Sequence, residues 1–212
     1  MAKLPTGVID LKADAVVLAA GKSERMGRNK LLLKVDNMPI LDIVLSALNT
    51  SPVIGEILVV LGHKPMELLP TVEAQGARPV FNPEYEEGMT SSFKAGMRQV
   101  SAEAVFLVLG DQLGLDSELL DRMVTLMDSD QGALLVSPIF EARRGHPVLL
   151  RQALFPEILN LSRQETLRDI VSRHESAHRF VEGDFWSVTD IDTPEDFDKA
   201  KKLFEARRHA LS

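Results

Sequence analysis

The chain has 212 residues, no cysteine and a formal net charge of −7 at pH 7. Without cysteine it can form no disulfide, iron–sulfur cluster or thiolate zinc site, and it has no thiol nucleophile. The acidic balance argues against a nucleic-acid partner, although a local group of basic side chains could still bind a small anion.

The chain shows no targeting or membrane segment. Its first residues, MAKLPTGVIDLKAD, lack the apolar run of a secretory signal. No apolar stretch approaches the roughly 18 residues that a membrane span requires. We therefore expect a cytoplasmic protein with no membrane partner. The length and the absence of repeats or a clear linker favour one domain over residues 1–212.

Short apolar runs alternate with helical patterns along the chain. The first predicted helix covers 39–48, and Pro39 is well placed to open it. Runs that are apolar on both faces indicate parallel strands covered by helices on both sides. We predict an α/β fold of three αβα layers, with a Rossmann-like, mostly parallel sheet. The predicted strands are 15–20, 56–62, 77–82, 104–111 and 133–140.

Three loops are expected to form one ligand site, because ligands of such sheets bind beyond the carboxyl ends of the strands. These loops follow 15–20, Phe81 and 104–111. The first loop, within VVLAAGKSERMGRNK (16–30), has neither the P-loop spacing nor the Rossmann spacing of glycines.

The physical properties of this loop indicate phosphate binding. Ala19, Ala20 and Gly21 leave the backbone open to a ligand, and consecutive N–H groups can surround an anion. Lys22, Arg25 and Lys30 add positive charge, and arginine can bind phosphate with two donors. The alternative is a surface turn with solvated basic residues.

The loop also resembles a known motif. LAAGKSERMGRNK is similar to the L-A-x-G-x-S-x-R-M-G-x-x-K signature of MobA-like nucleotidyltransferases. Further motifs of that family follow in the same order: NPEYEEGMTSS, VLGDQ, RRGHPVLL and DIDTPEDF. LAAG and RRGHPV are most similar to the molybdenum cofactor cytidylyltransferase branch, whereas guanylyltransferases usually read LAGG.

The resemblance implies a Mg²⁺-dependent enzyme with the nucleotide-diphospho-sugar transferase type of fold. It would transfer CMP from CTP to the phosphate of molybdenum-bearing molybdopterin and release pyrophosphate, with a molybdoenzyme as a further partner. Two alternatives stay open. One is a related transferase that uses GTP or another phosphorylated acceptor, such as a sugar, polyol or phospholactate. The other is a cofactor-insertion chaperone that does not turn nucleotide over.

Two aspartates stand out as metal ligands. Asp111 ends a strongly apolar run at the ligand edge, although it could instead cap the helix that follows. Thr193 and Pro194 fit the start of a helix, which leaves Asp192 without a structural reason. By resemblance, Asp111 and Asp192 would hold Mg²⁺. The catalytic residues implied in the same way are Arg25, Lys30 and Asp111.

The resemblance also implies a nucleotide site and an acceptor site. Either Ser91 or Ser92 could instead cap the helix after the N-P motif. The nucleotide-binding residues would be Leu18, Ala19, Ala20, Gly21, Arg25, Lys30, Asn82, Gly88, Ser92 and Asp111. The acceptor-binding residues would be Gly145, His146 and Arg168.

Two departures from the family pattern qualify these expectations. Leu113 replaces the usual proline, which should loosen the turn after Asp111. SRQETLRD (162–169) replaces a G-D-x-G-A-R stretch of many cytidylyltransferases, which puts the acceptor in doubt more than the transfer. The remaining histidines and two neighbouring aromatic residues are expected to be structural, exposed or part of a lid: His63, His174, His178, His209, Phe185 and Trp186.

Overall fold

A computed structural model describes residues 11–211, with side chains as far as residue 207. Eight strands form one sheet and two short strands, β2 and β3, form a separate ribbon. The strands are β1 (Ala13–Ala19), β2 (Lys34–Val35), β3 (Met38–Pro39), β4 (Ile54–Leu61), β5 (Arg78–Phe81), β6 (Ala104–Leu109), β7 (Leu135–Phe140), β8 (Arg143–Arg144), β9 (Val148–Arg151) and β10 (His178–Glu182).

The sheet has the order β10-β7-β9-β6-β1-β4-β5, and β8 pairs with the last two residues of β7. All neighbours on the β6-β1-β4-β5 side are parallel, as the apolar runs predict. Two strands are exceptions: β9 runs antiparallel to both β6 and β7, and the two-residue β8 runs antiparallel to β7. The predicted α/β fold with a mostly parallel sheet is therefore confirmed, and two antiparallel strands are added to it.

Helices cover both faces of the sheet. They are α1 (Ile40–Thr50), α2 (Leu69–Ala74), α3 (Met89–Met97), α4 (Ser117–Ser129), α5 (Phe155–Leu159), α6 (Leu167–Arg173) and α7 (Pro194–Leu211). Pro39 directly precedes α1 as its N-cap residue.

Two apolar cores explain why these helices pack where they do. Val17 of β1 belongs to one core and Val16 to the other, because successive side chains of a strand point to opposite faces. α1, α2, α4 and α7 supply residues to the first core, and α3, α5 and α6 supply residues to the second. The result is the predicted αβα arrangement.

Backbone hydrogen bonds join the strand ends at the ligand edge. The N–H of Gly110 donates to the carbonyl oxygen of Leu18 at 3.0 Å, which ties the end of β6 to β1. The N–H of Asn82 donates to Leu61 at 2.8 Å, so the segment after β5 is anchored to β4. The three predicted loops therefore start from one connected edge of the sheet.

Of the helices in the described range, none combines the length and the apolar character that crossing a membrane would need.

Candidate active site

The loop after β1 leaves its backbone open at the edge of the sheet. A methyl group added at Gly21 would meet no neighbouring atom within 4 Å. Within residues 11–211, the backbone N–H groups of Gly21, Lys22 and Ser23 donate to no protein acceptor. The loop is closed farther along, where the N–H of Lys30 donates to the Ser23 hydroxyl at 3.2 Å. This gives a fixed turn with free donors, as phosphate binding requires.

A cleft of about 450 Å³ lies between this loop, the start of α3 and the end of β6. The structure brings most of the predicted nucleotide and metal residues to its walls. They are Leu18, Ala19, Ala20, Gly21, Arg25, Lys30, Gly88, Ser92, Asp111 and Asp192.

Lys30 lies at the centre of the charged groups in this cleft. Its ammonium forms an ion pair with Asp111 and lies 3.2 Å from Oδ1 of Asp192. It also donates to the carbonyl oxygen of Ile191 at 2.9 Å. Arg25 contacts Asp192 from the other side, with its guanidinium nitrogen 2.9 Å from Oδ2. The two predicted metal ligands therefore lie within reach of a single cation.

The charge of Lys30 is secured by these contacts. Burial by itself would lower the pKa of the Lys30 ammonium, but the carboxylates of Asp111 and Asp192 outweigh it and raise that pKa above its ordinary value. The side chains of Lys30 and Asp111 are only 19% and 16% exposed. At neutral pH the cleft floor thus holds a protonated lysine between two carboxylates.

Two carboxylates form a sparse but suitable donor set for Mg²⁺. Across the part of the chain that the structure describes, no three His, Cys, Asp or Glu side chains are grouped as a metal site. Magnesium commonly binds one or two carboxylates and takes its other ligands from water and substrate phosphates. Asp111 and Asp192 fit a metal that arrives with phosphate oxygens.

Asn82 does not line the cleft but holds one of its walls, the start of α3, in place. Only 5% of Asn82 is exposed, and its amide nitrogen donates to the hydroxyls of Ser91 at 3.0 Å and Ser92 at 3.1 Å. Its amide oxygen accepts from the N–H of Glu84 at 3.0 Å. Asn82 therefore fixes the start of α3, and Ser92 is the member of this group that reaches the cleft.

Gly88 is the N-cap residue of α3 and lies in the cleft wall. Its φ of +103° and ψ of −170° belong to a region that other residues rarely adopt. No side chain caps this helix. Ser91 and Ser92 therefore do not have the capping role that the sequence left open. Ser91 instead donates to the carbonyl oxygens of Glu84 at 2.7 Å and Gly88 at 3.1 Å.

Gly145 and His146 form a tight turn near Asp111. A methyl group at Gly145 would overlap the carbonyl oxygen of Ser187, and the N–H of His146 donates to that same oxygen at 2.8 Å. Burial lowers the pKa of His146, and the charges of Asp190 and Asp111 offset only part of this effect. The imidazole is thus neutral at neutral pH.

Gln112 joins two turns near Asp111. The motifs gave it no role, although it follows Asp111 in VLGDQ. It is 4% exposed, and its amide nitrogen donates to the carbonyl oxygen of His146 at 2.6 Å. This bond joins the turn after β6 to the turn that carries His146. Its sequence signal was its place in the VLGDQ motif, directly after Asp111.

Arg168 is not brought together with His146. It is an exposed residue of α6 and lines a second groove of about 470 Å³, between the start of α3 and residues 161–168. This groove and the cleft described above share Gly88 and Met89. Arg168 therefore lines a groove to which Gly145 and His146 do not contribute.

The expectation that Leu113 loosens the turn after Asp111 is wrong. The N–H of Leu113 donates to the carbonyl oxygen of Asp111 at 2.8 Å, a bond that proline could not make. The Leu113 side chain is 2% exposed and belongs to the core. Leucine therefore closes this turn.

Two further residues lie beside this cleft, and the motifs assign a role to neither of them. Lys22 lies 2.6 Å from the carboxylate of Glu86, which joins the first loop to the segment before α3. Tyr85 lines the cleft beside this pair. Tyr85 could have been noticed in the sequence as the one aromatic residue of NPEYEEGM.

The remaining histidines mostly have structural surroundings. His174 lies 2.7 Å from Glu157, His178 lies 2.9 Å from the Ser137 hydroxyl, and His63 lies beside the ring of Tyr85. The side chain of His209 lies outside the described residues. Trp186 is 7% exposed and Phe185 is 37% exposed, so the first is a core residue.

Two relatives are similar to this chain in length, but their names indicate different reaction classes. Molybdenum cofactor cytidylyltransferase of Escherichia coli (strain K12) is 29% identical over 90% of this chain and 96% of that protein. Nicotine blue oxidoreductase of Paenarthrobacter nicotinovorans is also 29% identical, over 89% of this chain and 93% of that protein. The names of these relatives therefore do not agree on one acceptor.

Solved structures share the fold. Rv0371c from Mycobacterium tuberculosis H37Rv has a TM-score of 0.79 at 21% identity, over 91% of this chain and 98% of that chain. A complex of Rv0371c with manganese has a TM-score of 0.75 at 20% identity, over 90% of this chain and 98% of that chain. At these identities the likeness shows the fold alone.

The family is shown by the sequence itself. The MobA-like NTP transferase domain family matches residues 15–178, which is most of the chain and contains the loop after β1, the segment before α3 and Asp111. The chain therefore belongs to the MobA-like NTP transferase family and is an enzyme that transfers a nucleotidyl group.

Proposed function

We propose that the enzyme uses Mg²⁺ and CTP to add CMP to the phosphate of molybdenum-bearing molybdopterin, with release of pyrophosphate. The observation that carries this proposal is the charged cluster at the cleft floor, where Lys30 lies between Asp111 and Asp192 beneath a loop of free N–H donors. CTP and this acceptor are supported by the LAAG and RRGHPV motifs, and by the E. coli relative that is named a cytidylyltransferase.

Each wall of the cleft would contact a different part of the nucleotide. Backbone from Ala19 to Gly21 would lie against the nucleoside and its phosphates, because small residues leave the main chain accessible. Gly88 and Ser92 at the start of α3 would bind the ribose or base. Arg25 and Lys30 would offset the charge of the triphosphate.

The reaction needs little beyond position and charge. A phosphate oxygen of the acceptor attacks the α-phosphorus, a new phosphoanhydride bond forms, and the bond to the bridging oxygen of pyrophosphate breaks. The attacking oxygen is already anionic at neutral pH, so no general base is required. Asp111 and Asp192 would hold Mg²⁺, which when bound supplies charge stabilisation to the phosphate oxygens. Lys30 and Arg25 stabilise negative charge on the leaving group.

The acceptor would approach from the side of the turn at Gly145. His146 is neutral and mostly buried, so it can exchange a hydrogen bond with the acceptor without adding charge. Arg168 would bind a more distant anionic group from the second groove, which adjoins the cleft at Gly88 and Met89. This division suits an acceptor that is longer than one phosphate.

A screen for pyrophosphate release tests the proposal. Each of the four nucleoside triphosphates is offered with Mg²⁺ and with molybdenum-bearing molybdopterin, a sugar phosphate, a polyol phosphate or phospholactate. We expect release only with CTP and the molybdopterin acceptor. A preference for GTP, or for another acceptor, would contradict the cytidylyltransferase assignment. Tight CTP binding without release in any combination would instead indicate a chaperone.

Matched variants keep this screen specific to the site. Asp111→Asn should remove release, whereas Glu118→Gln should leave it unchanged. Glu118 is an exposed carboxylate on α4 outside the cleft, so it controls for the same loss of one negative charge.

A further inference from the structure

We infer that the Lys30 ammonium holds the metal position before nucleotide binds, so that the metal enters only together with the nucleotide. This inference rests on the proposed assignment of Asp111 and Asp192 as metal ligands. It adds a second role for Lys30, which is to keep that position closed to a free cation.

The ligands around the ammonium are those that a metal would need. The Lys30 Nζ contacts Asp111 Oδ2, Asp192 Oδ1 at 3.2 Å and the carbonyl oxygen of Ile191 at 2.9 Å. The other oxygen of Asp192 is 2.9 Å from Arg25. Both carboxylates are therefore engaged by cations of the protein itself.

A free divalent cation would have to displace Lys30 without compensation. At about 4 Å, like charges repel strongly at a partly buried site, so the ammonium and a dication cannot share the same two carboxylates. Lys30 and Asp111 are mostly buried, so solvent does little to replace the contacts that Lys30 would lose.

A metal–nucleotide complex changes this balance, because its triphosphate brings negative charge to the same place. The ammonium can turn from the carboxylates to the phosphates and remain paired. Its backbone need not move, since the N–H of Lys30 stays bound to the Ser23 hydroxyl at 3.2 Å. The long, flexible lysine side chain permits this change of partner.

The test measures binding of Mn²⁺ to the full chain without nucleotide, by electron paramagnetic resonance titration. Lys30→Met should bind Mn²⁺ about 10-fold or more tightly than the wild type, because the competing charge is gone. Lys34→Met is the matched control, since Lys34 is an exposed lysine of β2. It should bind like the wild type.

Further variants separate this inference from the proposed metal site. Adding Asp111→Asn to Lys30→Met should abolish the gain, and Lys30→Gln should reproduce it if Lys30→Met folds poorly. If neither Lys30 variant gains affinity while Asp111→Asn weakens Mn²⁺ binding, the inference is wrong and the metal site stands. If the gain survives Asp111→Asn, the metal assignment is wrong and the inference falls with it.

Discussion

Lys30 shows how much one residue of this enzyme depends on distant parts of the chain. Its ammonium contacts Asp192, which is 162 residues away in sequence. A motif can therefore name such a residue, but its partners follow only from the fold.

We predict that Lys30→Ala lowers turnover about 100-fold at saturating CTP, by analogy with the loss of one donor to the transition state. The reason is that the leaving pyrophosphate loses its nearest buried cation. Steady-state pyrophosphate release gives the measurement, with Lys34→Ala as the control. Near-normal turnover in Lys30→Ala would remove this role.

Gly145 gives a second prediction for a single residue. Gly145→Ala should lower the free energy of unfolding by about 2 kcal/mol or more, since the methyl would push against the backbone of Ser187. The KM for the acceptor should rise more than the KM for CTP, because His146 shares that backbone contact.

Urea unfolding measures the first effect. Gly21→Ala is the matched control, because a methyl there meets no atom, and its stability should stay within about 0.5 kcal/mol of the wild type. Equal unfolding midpoints for the two alanine variants would show that the overlap at Gly145 is relieved at no cost.

A buried histidine in the β7–β10 pair is expected to make the stability of the protein depend on pH. The two strands are parallel, and His178 of β10 lies 2.9 Å from the Ser137 hydroxyl of β7. Burial lowers the pKa of His178 to about 4, and the charge of Arg144 adds to this effect. An unfolded histidine has a pKa near 6.5.

We therefore predict that this element loses stability on mild acidification. As the pH falls from about 6.5 to 4, the unfolded chain binds a proton at His178 before the folded protein does, so folding is disfavoured. The contribution of His178 is present above pH 6.5 and is lost by about pH 4. At about 1.4 kcal/mol per pKa unit, the shift from about 6.5 to about 4 should amount to about 3 kcal/mol.

The measurement compares unfolding free energies of the wild type and His178→Gln between pH 7.5 and pH 4. The difference between the two proteins should shift in favour of the variant as the pH falls. His63→Gln, which changes a histidine outside the β7–β10 pair, is the control. Parallel pH curves for the wild type and His178→Gln would contradict the prediction.

The sequence predicted the elements that have a clear hydrophobic pattern of their own. It missed elements whose position depends on pairing with distant strands. The strands with long runs of Val, Leu and Ile, such as β4 and β6, were found because burial on both faces leaves a continuous apolar signal. β9 and β10 were not found. Their four and five residues gain their place from pairing with distant strands.

The residues of the candidate site also fall into two groups, those that motifs identified and those whose roles depend on the fold. The motifs identified Asp111, Lys30 and Gly88, whose chemistry or backbone is unusual enough to be visible in sequence. The supporting role of Asn82 could not be derived, since it depends on which serines of α3 face the strand end. The separation of Arg168 from His146 was equally hidden, because it depends on where α6 packs.

For the whole molecule, the sheet links both cores and all the site loops. β1 contributes alternate residues to the two cores, so neither core can be lost without exposing the same strand. This supports the proposal that residues 1–212 form one domain, although the first ten residues lie outside the described range.

The proposed single domain predicts one cooperative unfolding transition. Calorimetric and van't Hoff enthalpies should agree, and far-UV and near-UV circular dichroism should give the same midpoint. CTP with Mg²⁺ should raise that midpoint as one transition, because it binds the folded state alone. Two separated transitions would contradict the single domain.

The position of Trp186 provides the protein with a built-in optical reporter. It is the chain's one tryptophan, and its ring packs so closely on Gly114 that no side chain could be added there. The carbonyl of the next residue, Ser187, accepts the hydrogen bond from His146. A shift of that turn when an acceptor binds should therefore change the indole emission, so that acceptor occupancy can be followed without any label.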